Sequence, residues 1–286
     1  MRYVAPESLD AAVGMLAGAT GLARVLAGGT DLLVQLRSGL VEPDLVVDVK
    51  KIPEMRQITA EAGGFRIGAA VSGAELGEHP EVRRLWPGVV EAVELIGSTQ
   101  IQGRATMVGN MCNASPAADS VPAMIAAGSV ASVVGPNGRR EVPVEEICIA
   151  PGRTSLAKGE LVASIFLPAR PPHSGDAYLR FIPRTEMDIA VVGAGVSLTL
   201  DDAGTCRAAR LALGAVAARP LLVSEGAAAL VGTRVDEAAL ADLSVAASAA
   251  CKPIDDKRGT IEYRIKVAGV LARRAAEIAL ERARAN

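Results

Sequence analysis

The sequence predicts an α+β fold in two domains. Three observations carry that prediction. After a short opening helix the chain runs through a strand, a glycine turn, a helix and a second strand, and then changes to hairpins. A proline-rich break, Pro168-Ala169-Arg170-Pro171-Pro172-His173-Ser174-Gly175, divides it. Beyond the break, three strands are followed by alanine-rich helices. The expected organisation is a domain over 1–170, with subdomains at about 1–55 and 56–170, and a second domain over 176–286. The second is expected to hold a three-stranded antiparallel sheet and a helical bundle.

Residues 6–17 begin with proline and place leucines and valine at helical spacing, which predicts a short amphipathic helix. Ala23-Arg24-Val25-Leu26 is a strand running into a turn at 27–31, and a helix follows to about 38, ended by Gly39. Leu45 to Val49 is a second buried strand, so this opening reads as a small parallel unit. Gln57 to Glu61 and Phe65 to Ala69 flank Ala62-Gly63-Gly64, a hairpin signal. Val71 to Leu76 opens a short helix, and Pro80 to Ile96 reads as one helix with Val82, Leu85, Val89, Val93 and Ile96 on one face. A polar loop is expected over 97–119, then a short helix at 122–127, a hairpin at 130–142 and a strand at 161–167. In the second domain strands are expected at about 177–182, 189–200 and 206–214, with helices at about 221–231, 236–250 and 260–284. The last helix carries an apolar stripe of Ile261, Ile265, Ala268, Leu271, Ala275 and Ile278.

Composition excludes several functions. Half the residues are hydrophobic, enough for a sizeable core, yet only seven are aromatic (one Trp, three Tyr, three Phe), which leaves no stacking platform for nucleic acid. The net charge of −2 gives no basic footprint for nucleic acid or an anionic membrane. No apolar run reaches the roughly 18–20 residues that span a bilayer. Met1 to Pro6 is not a charged leader before an apolar core, so a cytoplasmic protein is expected. Cys112, Cys148, Cys206 and Cys251 lack metal-loop spacing and read as free thiols, and His79 and His173 read as loop residues, so no metal site is expected. Gly193-Ala194-Gly195 resembles a dinucleotide fingerprint, but Leu198 holds the third glycine position and no helix follows. It reads instead as a core strand whose glycines admit close packing.

Two polar stretches carry the chemistry. Ala27-Gly28-Gly29-Thr30-Asp31, followed by Leu32, lies between strand and helix, where adjacent glycines allow a sharp turn and bring backbone N–H groups close to an anion. A helix-capping Thr30 or Asp31 would give the same local pattern. Residues 103–119 gather Thr106, Gly109, Asn110, Asn113, Ser115 and Asp119 in a chain otherwise rich in alanine and valine, which suggests a bound polar ligand.

Ala-Gly-Gly-Thr-Asp-Leu near residue 30, Ala-Thr-x-x-Gly-Asn-x-x-Asn-Ala-Ser-Pro-x-x-Asp near residue 110, and Arg180 to Ala190 with Arg184-x-x-x-Asp188-Ile189-Ala190 together resemble the FAD-binding medium subunit of the molybdenum hydroxylases, the xanthine dehydrogenase and carbon monoxide dehydrogenase flavin subunits. The resemblance covers nearly the whole chain. It implies a two-subdomain, PCMH-type FAD-binding domain and a C-terminal flavoprotein domain. It also implies FAD on this chain, with a large molybdenum-cofactor subunit and a small subunit carrying 2Fe–2S clusters as partners, in a dimer of heterotrimers. Electrons would pass from the clusters through FAD to NAD⁺, a quinone or oxygen, with no catalytic side chain on this chain.

Carried over position by position, Ala27, Gly28, Gly29, Thr30, Asp31 and Leu32 would hold the diphosphate from one side. Thr106, Gly109, Asn110, Cys112 and Asn113 would hold it from the other, Asp119 would meet a ribose hydroxyl, and Ile165 would be an apolar contact. Arg180 stands where many members carry a lysine near the flavin. The family has a second glycine where Val108 stands, and a positive φ there would make valine costly. Two other readings share these motifs: a non-redox binding or scaffold protein that has lost FAD, and a stand-alone FAD oxidoreductase.

Overall fold

The computed structural model describes all 286 residues. Three strands, β1 (Arg2–Val4), β2 (Ala23–Leu26) and β3 (Leu45–Asp48), form a parallel sheet in the order β1-β3-β2. Helix α1 (Leu9–Ala17), capped by the Ser8 hydroxyl, joins β1 to β2, and α2 (Leu32–Arg37) joins β2 to β3. The sequence missed β1, whose three residues are too few to show a period.

A five-stranded antiparallel sheet follows. Its strands are β4 (Ile58–Glu61), β5 (Gly64–Gly68), β6 (Val130–Gly135), β7 (Gly138–Pro143) and, completing it later in the chain, the strand over Leu161–Leu167. The expected single helix over 80–96 is two. After α3 (Gly73–Glu78), α4 (Pro80–Leu85) ends at Trp86 and α5 (Pro87–Glu94) begins on Pro87. Pro87 has no N–H to donate and pushes Trp86 out of the helical region, to φ −130° and ψ 59°. The expected polar loop at 97–119 contains α6 (Thr99–Gln102) and α7 (Met107–Cys112), both short and without an apolar period to reveal them. Helix α8 (Ser120–Ala126) is buried along its whole length, with Pro122 inside its first turn instead of at its start. A small ribbon, β8 (Cys148–Ala150) and β9 (Arg153–Thr154), precedes the central strand β10 (Leu161–Leu167), which lies between β5 and β6.

The C-terminal sheet consists of β11 (Ser174–Phe181), β12 (Val192–Leu200) and β13 (Cys206–Gly214), all antiparallel, with β14 (Leu221–Leu222) as a two-residue edge strand. The helix expected over 221–231 therefore starts later, as α9 (Ser224–Leu230). Helices α10 (Glu237–Ala250) and α11 (Ile261–Ala285) complete the fold. The face of α11 that is buried consists chiefly of Ala268, Ala272, Ala275, Ala276, Ala279 and Ala283, and Ile261 of the expected stripe is exposed. Small residues decide this. A Cβ on Gly175 of β11 would stand 1.8 Å from the Ala279 carbonyl oxygen, so the helix lies closer to the sheet than a longer side chain permits.

The glycines of β12 have the packing role expected of them. A Cβ on Gly195 would come within 2.7 Å of the Pro122 carbonyl oxygen, so α8 of the first half is seated on the second half's sheet. The connecting segment is also fixed: the Trp86 indole donates to the Pro168 carbonyl at 3.1 Å, and Arg170 lies over the Trp86 ring at 4.8 Å while pairing with Asp176 at 2.7 Å.

Burial pushes the Asp176 carboxyl up to about 6, with Arg170 pulling against it. Between about pH 4 and pH 6 the folded chain thus keeps a proton that the unfolded chain has lost, and stability falls as pH rises through that window. Relative to Asp176→Asn, the wild type should lose up to about 1.4 kcal/mol per pH unit there and run level above it, as read from urea midpoints at several pH values.

Candidate functional site

The two polar stretches meet. β2 and β3 are parallel, and both end at the edge where the first turn lies, the edge at which open parallel sheets bind ligands. Gly29 has φ +81°, open to glycine and strained for other residues. Gly28 is packed against the second stretch: a Cβ there would stand 1.9 Å from the Arg104 carbonyl oxygen and 3.1 Å from the Ala105 Cα. The backbone N–H groups of Gly28, Gly29, Thr30, Asp31 and Leu32 donate to no group of the protein, and the side chain of Asp31 does not cap α2. Successive free N–H groups in a turn form a concave donor set suited to an anion's oxygens.

The second turn is built differently. Gly73 N–H donates to the Ala105 carbonyl at 2.8 Å, which ties this strand-like segment to the start of α3. The Thr106 hydroxyl caps α7 by accepting from Gly109 N–H at 2.9 Å, and a Cβ on Gly109 would come within 2.8 Å of that hydroxyl. Val108 lies inside α7 with 5 % of its surface exposed and is not among the residues of positive φ, so valine is unstrained there. Asn110 Oδ1 accepts from the Ser120 hydroxyl at 2.7 Å and joins α7 to α8. Asn113 Oδ1 accepts from Gln35 Nε2 at 3.0 Å, a second link between the two turns. Burial pushes the half-buried Cys112 thiol up to about 12, far from a reactive thiolate. Replacing Thr106 with valine keeps the shape and removes the cap, with an expected loss of about 1 kcal/mol, measurable as a lower urea midpoint.

Asp119 and Arg180 are brought together. Arg180 donates to Asp119 Oδ2 at 2.9 Å and to the Leu95 carbonyl at 2.9 Å, while the Tyr178 hydroxyl donates to Asp119 Oδ1 at 3.1 Å. All three side chains are largely buried where β11 meets α5 and α8. Burial raises the Asp119 carboxyl to about 6, with Arg180 and Tyr178 pulling it back down. Ile165 is fully buried in the middle of β10, the strand on which α7 packs. No three His, Cys, Asp or Glu side chains lie close enough together to hold a metal ion.

Lys50, Gln35 and Tyr178, which support these groups from outside the motifs, were not singled out in the sequence. Lys50 lies two residues beyond the end of β3, and the rule that ligands gather at the C-terminal ends of parallel strands is the signal that could have found it. Gln35 and Tyr178 carried no comparable signal.

Residues 1–170 match the family described as the FAD binding domain in molybdopterin dehydrogenase, and residues 177–279 match the CO dehydrogenase flavoprotein C-terminal domain. The chain is 34% identical over 282 residues to the carbon monoxide dehydrogenase medium chain of Afipia carboxidovorans, covering 99% of this chain and 97% of that one. It is 34% identical over 221 residues to the xanthine dehydrogenase FAD-binding subunit of Escherichia coli O157:H7, covering 77% and 75%. In structure it matches reconstituted CO dehydrogenase from Oligotropha carboxidovorans with a TM-score of 0.94, covering 99% of this chain and 98% of that one at 34% identity. A turn of five free N–H groups closed against a second glycine turn fits a dinucleotide's diphosphate, and with these likenesses it places the chain in the family of FAD-binding medium subunits of the molybdenum hydroxylases.

Proposed function

We propose that this chain relays electrons within a molybdenum hydroxylase, taking them from 2Fe–2S clusters on a small partner subunit and passing them to an acceptor such as NAD⁺, a quinone or oxygen. The substrate would be oxidised at a molybdenum centre on a large partner, in a cytoplasmic dimer of heterotrimers. The single observation that carries the reading is the donor turn at 28–32 seated on the second turn. Likeness to the medium chain of CO dehydrogenase, one of whose structures is named as the Cu,Mo enzyme, supports the partner assignment.

FAD, when bound, would supply the redox chemistry, since it can take up electrons one at a time and give them up singly or as a pair. The protein binds and orients it. In this reading the backbone of Ala27 to Leu32 and the Thr30 hydroxyl hold the diphosphate, and Thr106, Gly109, Asn110, Cys112 and Asn113 form the facing wall. Asp119 retains lone pairs beyond those used by Tyr178 and Arg180, and these would accept from a ribose hydroxyl. Arg180 acts through Asp119, and its fixed positive charge offsets the charge gained on reduction. Ile165 backs the site from within the core. Residues 1–170 would carry the cofactor and 176–286 would cover it. Purified chain should show flavin absorbance in the visible and copurify with a large and a small subunit. A colourless chain that takes up no added FAD would transfer the assignment to the scaffold reading, and a flavoprotein that never meets partners would transfer it to a stand-alone oxidoreductase.

A further inference from the structure

We propose that Lys50 is a positioning residue for the first turn: its ammonium holds the Ala27 carbonyl and thereby aims the Gly28 N–H, and those after it, at the cofactor's diphosphate. This rests on the FAD reading above.

Lys50 Nζ donates to the Ala27 carbonyl oxygen at 3.0 Å and to Asp48 Oδ2 at 2.9 Å. Its own backbone N–H donates to Asp48 Oδ1 at 2.9 Å, and the Tyr3 hydroxyl donates to Asp48 Oδ2 at 2.6 Å. Each of the three parallel strands therefore contributes to one chain of bonds. β1 ends it with Tyr3, Asp48 of β3 forms its middle, and the residue after β2 receives it at Ala27. The carbonyl of Ala27 and the N–H of Gly28 share one trans peptide plane and point in opposite directions, so holding the first fixes the second. A glycine pair has no side chain of its own to restrict it. The support has to come from elsewhere, and Lys50 is the side chain recorded as bonding to the turn's first carbonyl.

The anchor is itself held in place. Asp48 is buried, which pushes its carboxyl up, but Lys50 and Tyr3 outweigh burial and keep it below the ordinary carboxylate range. Lys50 and Asp48 largely cancel at a distance, so attraction of the diphosphate by bare charge is not the main role.

The test uses the full chain stripped of flavin and titrated with FAD, following fluorescence quenching, at low and at high salt. Lys50→Met should weaken binding by about 10- to 100-fold through loss of preorganisation. Lys50→Arg, which keeps donors and charge, should restore most of it. The ratio between wild type and Lys50→Met should persist in high salt, measured well below the lowered melting temperature expected once the buried Asp48 carboxylate loses its cation. Equal affinity of wild type and Lys50→Met overturns the inference alone. So does a ratio that collapses in salt, since that marks through-space charge, and so does an arginine variant as weak as the methionine one. A wild-type chain that binds no FAD overturns the cofactor reading and the inference with it.

Discussion

Gly28→Ala is expected to give a folded chain that retains no flavin. The added methyl would stand 1.9 Å from the Arg104 carbonyl oxygen and 2.7 Å from its carbon, both backbone atoms that cannot swing aside. One of the two turns must therefore move, and the five free N–H groups of 28–32 lose the alignment that makes them one donor set. Ala27 packs against the first core and Ala105 belongs to it, so the shift also costs some stability, and flavin retention is compared on chain shown to be folded. Affinity should fall by about 100-fold or more, roughly 3 kcal/mol. Flavin-to-protein absorbance ratios after gel filtration give the answer, with circular dichroism confirming the fold. Alanine at Gly109 makes a useful comparison, because there the clash is with a side-chain hydroxyl 2.8 Å away, which can rotate. That variant should bind FAD more weakly than wild type but better than Gly28→Ala.

Asp119→Ala is expected to be among the most destabilising single changes in the chain. It removes the acceptor of both Arg180 and Tyr178 and leaves a guanidinium buried with only the Leu95 carbonyl for company. Breaking one side of a buried pair costs about 3–5 kcal/mol. The damage falls on the seam between the halves, because Asp119 precedes α8 while Arg180 and Tyr178 belong to β11. Urea unfolding should show a much lower midpoint, and probes in the two halves should cease to report the same transition. Removing both charges together, as Asp119→Leu with Arg180→Met, should restore much of the stability without restoring flavin binding. A double variant as unstable as the single one would show that the pair itself, and not the orphaned arginine, holds the seam.

The strands and the turns were legible because their signals are local. Leu45 to Asp48 is a run of four buried residues, and Gly28-Gly29 needs no distant partner to read as a turn. What escaped were elements whose causes lie elsewhere in the chain. α6 and α7 are short, and their helical state owes more to the Thr106 cap and to packing than to any period along the sequence. The break at Trp86 could have been read from Pro87, but five apolar residues at helical spacing outweighed it. On α11 the expected stripe holds at Ala268, Leu271 and Ala275, but the isoleucines at 261, 265 and 278 are not buried, and closeness to Gly175 selects Ala272, Ala276, Ala279 and Ala283 instead. For the candidate site, the backbone motifs were visible and their supports were not. Tyr3 and Gln35 act across long stretches of chain with nothing beside them to announce it, and Lys50 is marked only by its place just past the end of a parallel strand.

The connecting segment is pinned to Trp86, which bonds the Pro168 carbonyl and lies under Arg170, and α8 is set into glycines of the opposite sheet. Such contacts resist bending at the connecting segment. Electron tunnelling depends steeply on separation, so on the relay reading proposed above a flavin held against these packed halves would keep a constant offset from the protein's own surface. The gap to a neighbouring redox centre is then decided by where that neighbour lands, and tuning the transfer rate becomes a matter of the outer contour of the molecule, not of breathing within it.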